Sequence, residues 1–227
     1  SAATLASRAQ VAASTSDLIF GVTDYSGTKN VLVDLGSINN FAPAGGVAPG
    51  SYTLGNYSSL LTSAFGSDLS GLSWGVVGNA GLAGAATNGD PVRTAWMTSI
   101  WDTNTAGVLG VQNSIAYDRP GQSVLGTTNS QVNAVYQGLT GANAAQTNVG
   151  LKAVTLTNGA IWDDGATNGF NLDGSLFNNL VGNVALGKTY SASDLYTVTF
   201  NGAAGSPQGS ADSKFDGTFS LDATTGD

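Results

Sequence analysis

Seven Asn-Gly or Asp-Gly pairs, at 88–89, 158–159, 164–165, 168–169, 173–174, 201–202 and 216–217, punctuate a chain of 227 residues. Asn, Asp and Gly tolerate the positive φ that a two-residue hairpin turn demands, so each pair is a place where a strand can reverse. Between them lie short apolar or alternating segments rich in Val, Ile, Leu and Thr. Turn signals at this density predict a meandering antiparallel fold.

The strands read as follows. Leu18-Ile19-Phe20-Gly21-Val22-Thr23 and Asn30-Val31-Leu32-Val33-Asp34-Leu35 flank Tyr25-Ser26-Gly27-Thr28 as a hairpin. Ala153 to Thr157 and Ala160 to Trp162 flank Asn158-Gly159 as a second. Further strands are expected over 73–78, 92–101, 108–117, 195–201 and 218–222. Three short helices complete the pattern. Asn56 is placed to cap a helix over 57–65, where Leu60, Leu61, Ala64 and Phe65 have helical spacing. Asn129 or Ser130 can open a turn through Tyr136, and Asp173 can cap a helix over 175–181. The expected fold is an all-β antiparallel β-sandwich, with a jelly roll as one form of it, carrying a few short helices.

Residues 1–16 differ from the rest. They are small and polar, with Arg8 the one charged side chain. As a helix they place Leu5, Ala9 and Ala12 on one face; as a strand they place Leu5, Ala9, Val11 and Ala13 together. The expected organisation is an extended N-terminal segment, 1–16, and a single β-rich domain, 17–227. An extended segment of this kind can be donated to the sheet edge of a second copy, with Leu5, Ala9, Val11 and Ala13 as the assembly residues.

Composition removes most chemistry. The chain has no Cys, no His and no Glu, and all fifteen acidic residues are Asp. A Ser-His-Asp triad, a Cys-His nucleophile and an ordinary zinc site are therefore excluded. Asp-Thr/Ser-Gly loops are absent, and Asp216-Gly217-Thr218 has those residue types in another order. Glycine-rich stretches such as 78–84 lack the Lys of a P-loop. Catalysis is not expected. An Asp-based glycosidase would require two aspartates facing across a cleft. A Lys–Asn isopeptide crosslink would require one of the four lysines beside a buried Asp, and no spacing marks a pair.

Charged residues are 10% of the chain, against about 25% in ordinary globular domains. With seven Lys or Arg and a net charge of −8, no basic patch can form, so nucleic acid is not an expected partner. No run of 18 apolar residues occurs, so no membrane span is expected. A sparsely charged surface of Ser, Thr and Asn can approach copies of itself closely.

Two binding readings accompany this one. Asp163, Asp164, Asn168, Asn171 and Asp173 form the densest group of oxygen ligands, on a glycine-rich loop of the kind calcium uses. Their spacing does not match an EF-hand, whose bidentate Glu is missing, and a solvated turn before a capped helix is the preferred reading. No cofactor is expected, with Ca²⁺ the one alternative. Trp74, Trp96, Trp101 and Trp162 could line a carbohydrate platform, but aromatics on strands more often belong to the core.

Three segments carry a resemblance. They are Asp17-Leu18-Ile19-Phe20-Gly21 with Asn30 to Ser37; Leu60 to Ser67 leading into Leu72-Ser73-Trp74-Gly75-Val76-Val77-Gly78; and Ser193-Asp194-Leu195-Tyr196 with Gly217-Thr218-Phe219-Ser220-Leu221-Asp222. In this order they resemble the exported body domain of PEP-CTERM proteins, which Gram-negative bacteria sort to the surface with an exosortase. The resemblance implies a surface or matrix protein, often linked to exopolysaccharide, with no catalytic residues to carry over. It also implies a Pro-Glu-Pro sorting tail after the Gly217–Leu221 strand, and the sequence ends at Asp227 before such a tail. Ser1-Ala2-Ala3-Thr4-Leu5-Ala6 reads as the start of a chain cut by signal peptidase.

The expected function is thus a secreted bacterial structural protein, extracellular or at the cell surface. It self-assembles by strand addition into a filament, surface layer or biofilm matrix. Its partners are copies of itself, with exopolysaccharide a further candidate. The alternative is an extracellular calcium- or polysaccharide-binding β-sandwich module.

Overall fold

The computed structural model describes residues 3–4, 15–24, 30–41, 52–69, 72–81, 89–100, 125–126, 128–130, 132–133, 136, 147–148, 151–156, 191–199 and 213–221. The fold is all-β. Its strands are β1 (Ala3–Thr4), β2 (Asp17–Asp24), β3 (Asn30–Ser37), β4 (Tyr52–Thr53), β5 (Leu72–Asn79), β6 (Ala95–Ile100), β7 (Thr147–Asn148), β8 (Leu151–Leu156), β9 (Ser191–Val198) and β10 (Lys214–Leu221). A helix, α1 (Ser58–Phe65), and a 3-10 turn (Ile38–Asn40) accompany them. Eight strands form one sheet in the order β10-β9-β6-β5-β2-β3-β8-β7, and every neighbouring pair is antiparallel. β1 and β4 form a separate parallel pair two residues long. No helix among the described residues is long and apolar enough to cross a membrane.

β2 shows why the centre of the sheet is buried on both sides. Its sequence Leu18-Ile19-Phe20-Gly21-Val22 is apolar at successive positions instead of alternating, the pattern of a strand covered on both faces. Leu18, Phe20 and Val22 join one core with Val31 and Val33 of β3 and Trp74 and Val76 of β5. Ile19, Leu32, Val77 and Met97, pointing the other way, are also fully buried. The expected hairpin of the first two long strands is present, with Phe20 opposite Val33 and Val22 opposite Val31. Its register shifts by one residue where Leu18 faces Gly36 and Ile19 faces Asp34, leaving Leu35 as the extra residue of a bulge. The bulge is fixed locally. Asp34 Oδ1 accepts from Gly36 N at 2.8 Å, and Gly36 takes φ +94°, which a side chain would resist.

β3 and β5 lie on opposite sides of β2 and both run antiparallel to it. The chain must therefore cross the sheet between them, and it lays the 3-10 turn and α1 over the Phe20 face. α1 buries Leu61 and Ala64, with Leu60 and Phe65 partly buried against the same core. Its predicted cap is displaced by one residue: Tyr57 occupies the N-cap position, and Asn56 Oδ1 accepts from Ser58 N at 3.1 Å. The helix ends at Gly66, where φ is +91° and the amide bonds to Thr62 O at 2.9 Å. Burial pushes the Tyr57 phenol up to about 12, so the ring packs as a neutral group, its hydroxyl directed to Leu54 O.

The lower end of the sheet is closed by helical residues around Asn129. Leu125, Gly126, Thr128, Asn129, Ser130, Val132, Asn133 and Tyr136 are helical, so this element begins before Asn129. Asn129 sits inside it and donates from Nδ2 back to Leu125 O at 2.8 Å, and Ser130 Oγ likewise donates to Gly126 O at 3.0 Å. Helical residues precede both, so neither stands at the helix start. Tyr136 Oη donates to Asp17 O at 2.7 Å and accepts from Asn79 N at 3.0 Å, joining the first residue of β2 to the last of β5. Asn79 Nδ2 then donates to Asn129 O at 2.9 Å. Burial holds the Tyr136 phenol far above its ordinary range. Tyr136→Phe keeps the ring but leaves a buried carbonyl and a buried amide without their partner. The expected cost is about 1–3 kcal/mol, read as a lower urea midpoint with an unchanged slope. A midpoint equal to the parent's would show that the clasp contributes nothing.

The remaining sequence expectations divide cleanly. Strands expected at 73–78, 92–101, 195–201 and 218–222 correspond to β5, β6, β9 and β10. Residues 153–156 are in β8, which pairs with β3 on one side and β7 on the other. The rest of the second predicted hairpin, the strand over 108–117 and the helix over 175–181 lie outside the described residues.

Candidate functional site

Asp216-Gly217 is a turn signal by sequence, yet it lies inside β10. Phe215 faces Tyr196 and Gly217 faces Leu195, so Asp216 is the extra residue of a second β-bulge. A bulged residue escapes the strict alternation of a strand, and here the escape turns a carboxyl inward. Asp216 is 2% exposed. Thr197 Oγ1 of β9 donates to its Oδ2 in a short hydrogen bond. Lys214 Nζ lies 3.1 Å from Oδ1, an ion pair between a half-exposed ammonium and a buried carboxylate.

The neighbouring strand adds a second acid. Trp96 of β6 faces Thr197 across the ladder and is fully buried. Its Nε1 donates to Asp90 Oδ2 at 3.4 Å, from a residue in the turn before β6. Burial raises the Asp90 carboxyl above the ordinary carboxylate range; the Trp96 hydrogen bond lowers it, the Asp216 charge raises it further and Lys214 lowers it. Burial likewise raises Asp216, against the opposing pull of the Thr197 hydroxyl and the Lys214 ammonium. The register of β6, β9 and β10 thus gathers two proton-hungry carboxyls beside one ammonium.

Such a cluster can take up and release a proton. The described residues place no group of three or more acidic side chains that could hold a metal ion.

No family model, no curated protein and no solved structure matches this chain.

The residues expected from sequence to act fall elsewhere. Asp163, Asp164, Asn168, Asn171 and Asp173, the calcium candidates, lie outside the described residues, as do Leu5, Ala9, Val11 and Ala13. Of the tryptophans, Trp74 and Trp96 are core residues at 1% and 0% exposure, so neither presents a ring to a sugar. Asp90, Thr197, Lys214 and Asp216 were not candidates by sequence. The one signal available was Lys214-Phe215-Asp216, opposite charges on one side of a strand, next to a glycine able to relax the register.

Proposed function

We propose that this chain is a secreted, non-catalytic structural protein of a bacterial surface or matrix, assembling with copies of itself by strand addition. The observation that carries the reading is the state of the N-terminal segment. Among the described residues, Ala3–Thr4 has strand conformation, lies outside the eight-stranded sheet and pairs over two residues with Tyr52–Thr53. Over the described residues this pairing is a marginal interaction, since strands in globular proteins usually run about 3–10 residues. A longer pairing with the sheet of a second copy would replace it at little cost. Leu5, Ala9, Val11 and Ala13 are the apolar positions such a pairing would bury.

Charge supports the same reading. Residues 1–16 carry only Arg8, whereas residues 17–227 hold six Lys or Arg and fifteen Asp. A cationic segment meeting an acidic body is favourable, and the low charge density limits repulsion between copies. The resemblance to PEP-CTERM body domains supports an exported location and a partner in exopolysaccharide.

Deletion of residues 1–16 tests the proposal. The expected result is loss of polymers in electron micrographs, with a monomer of unchanged circular dichroism. A parallel variant, Leu5→Asp with Val11→Asp, keeps the chain length and should fail to polymerise in the same way. Normal polymers from either variant, or a parent chain that stays monomeric at every concentration, would overturn it.

A further inference from the structure

Two acids and one base meet at the bulge of β10. Asp216 accepts from the neutral Thr197 hydroxyl of β9 and pairs with the Lys214 ammonium of its own strand, and its charge is felt at Asp90, which lies in the turn before β6 and accepts from the neutral Trp96. Lys214 is 53% exposed and spends much of its charge on water, while the Asp216 side chain is 1% exposed. With both carboxyls ionised, the half-buried Asp90 and the buried Asp216 carry one negative charge more than Lys214 compensates. A single proton removes it and leaves the Thr197 hydrogen bond an acceptor oxygen.

The cluster also sits where opening is cheapest. β10 is the outermost strand of the sheet among the described residues, paired to β9 alone. Its ladder is already interrupted at Asp216. Outer strands open locally at far lower free energy than strands such as β5 at the centre.

We propose that the Asp216 bulge is a proton-operated latch that closes β10 on β9 in acid and releases it toward neutral pH. It acts within one copy of the chain and stands whether or not copies assemble. The direction follows from linkage. Burial raises the Asp216 carboxyl in the folded chain, whereas in an opened strand it titrates near about 4. The stabilising contribution is therefore complete below about pH 4 and is lost as pH rises through the folded-state value. One proton sets the steepness: at most about a tenfold change in the opening equilibrium per pH unit.

Native-state hydrogen exchange of the full chain, corrected for intrinsic rates and followed by mass spectrometry from pH 4 to 8, tests this. Peptides covering Lys214–Leu221 are compared with those covering Leu72–Asn79 as an internal reference. In the parent chain, protection of β10 should fall by up to about tenfold per pH unit above about pH 4, then level off. In Asp216→Asn, an isosteric neutral acceptor for Thr197, the fall should vanish. Lys214→Met removes the compensating cation, so the fall should continue to higher pH and become larger in total. A flat profile in the parent, or an undiminished fall in Asp216→Asn, overturns the latch. Should Asp216→Asn not fold, Lys214→Met decides: a profile identical to the parent's is equally fatal.

Discussion

Trp74→Ala should be among the most destabilising single substitutions in this chain, costing about 3–5 kcal/mol. Trp74 is 1% exposed and lies opposite Val22 in the ladder between β5 and β2. Its ring meets Phe20 with centroids 5.9 Å apart and planes tilted by 58°. Phe20 in turn stacks on Tyr57 at 5.5 Å. The three rings run from one central strand through the next to the cap of α1, so truncating the first undercuts the packing of the crossover helix as well. A cavity of indole size cannot fully collapse here, because Tyr57 still stacks on Phe20 and the backbone of β5 is held by a strand on either side. For a chain of this length the loss corresponds to a fall in Tm of roughly 6–20 °C. Trp74→Phe should recover much of it. A cost below about 1 kcal/mol for the alanine variant would mean that the aromatic column is not part of the stable core.

The same column shows how far sequence patterns reach. Leu18 to Val22 is apolar at consecutive positions, which identifies a strand buried on both faces, and Leu60, Leu61, Ala64 and Phe65 recur at helical spacing; both elements formed where expected. Strand partners are less legible. Leu151–Leu156 pairs with β3, more than a hundred residues earlier in the chain, a partner that no local turn signal announces; the hairpin expected at Asn158-Gly159 lies outside the described residues. Alternation says which residues share a face, but carries nothing about which distant edge the strand will join. Asp216-Gly217 illustrates the other limit. The conformational tolerance that suits a dipeptide to a turn suits it equally to a bulge, and only the register with Tyr196 and Leu195 separates the two. The carboxyl cluster was hidden for the same reason. Asp90, Thr197 and Asp216 are remote in sequence and meet only because β6, β9 and β10 lie side by side.

Gly78→Ala should be costly for a different reason, an excess of atoms where the backbone cannot move. A Cβ on Gly78 would lie 2.7 Å from Asp17 O and 2.9 Å from Leu18 Cδ2, with Trp96 Cε3 at 3.4 Å. The leucine can rotate away; the carbonyl cannot. Asp17 O is the acceptor of the 2.7 Å bond from Tyr136, and Asp17 also belongs to the ladder with Ser37. Relief of the contact must shift the start of β2 away from β5, breaking the clasp that Tyr136 makes between them. The expected cost is about 3 kcal/mol, the upper end for overpacking, only slightly offset by the lower entropy of an unfolded chain bearing alanine. Gly66→Ala is the control. A Cβ there meets nothing within 4 Å, but φ is +91°, so its cost of about 1–2 kcal/mol is purely conformational. The two mechanisms separate in combination with Tyr136→Phe. Gly78→Ala and Tyr136→Phe both act through Asp17 O, so their joint cost should fall short of the sum of the two. Gly66→Ala shares no partner with Tyr136 and should add to it within about 0.5 kcal/mol. Full additivity of Gly78→Ala with Tyr136→Phe would place the strain elsewhere than at the Asp17 carbonyl.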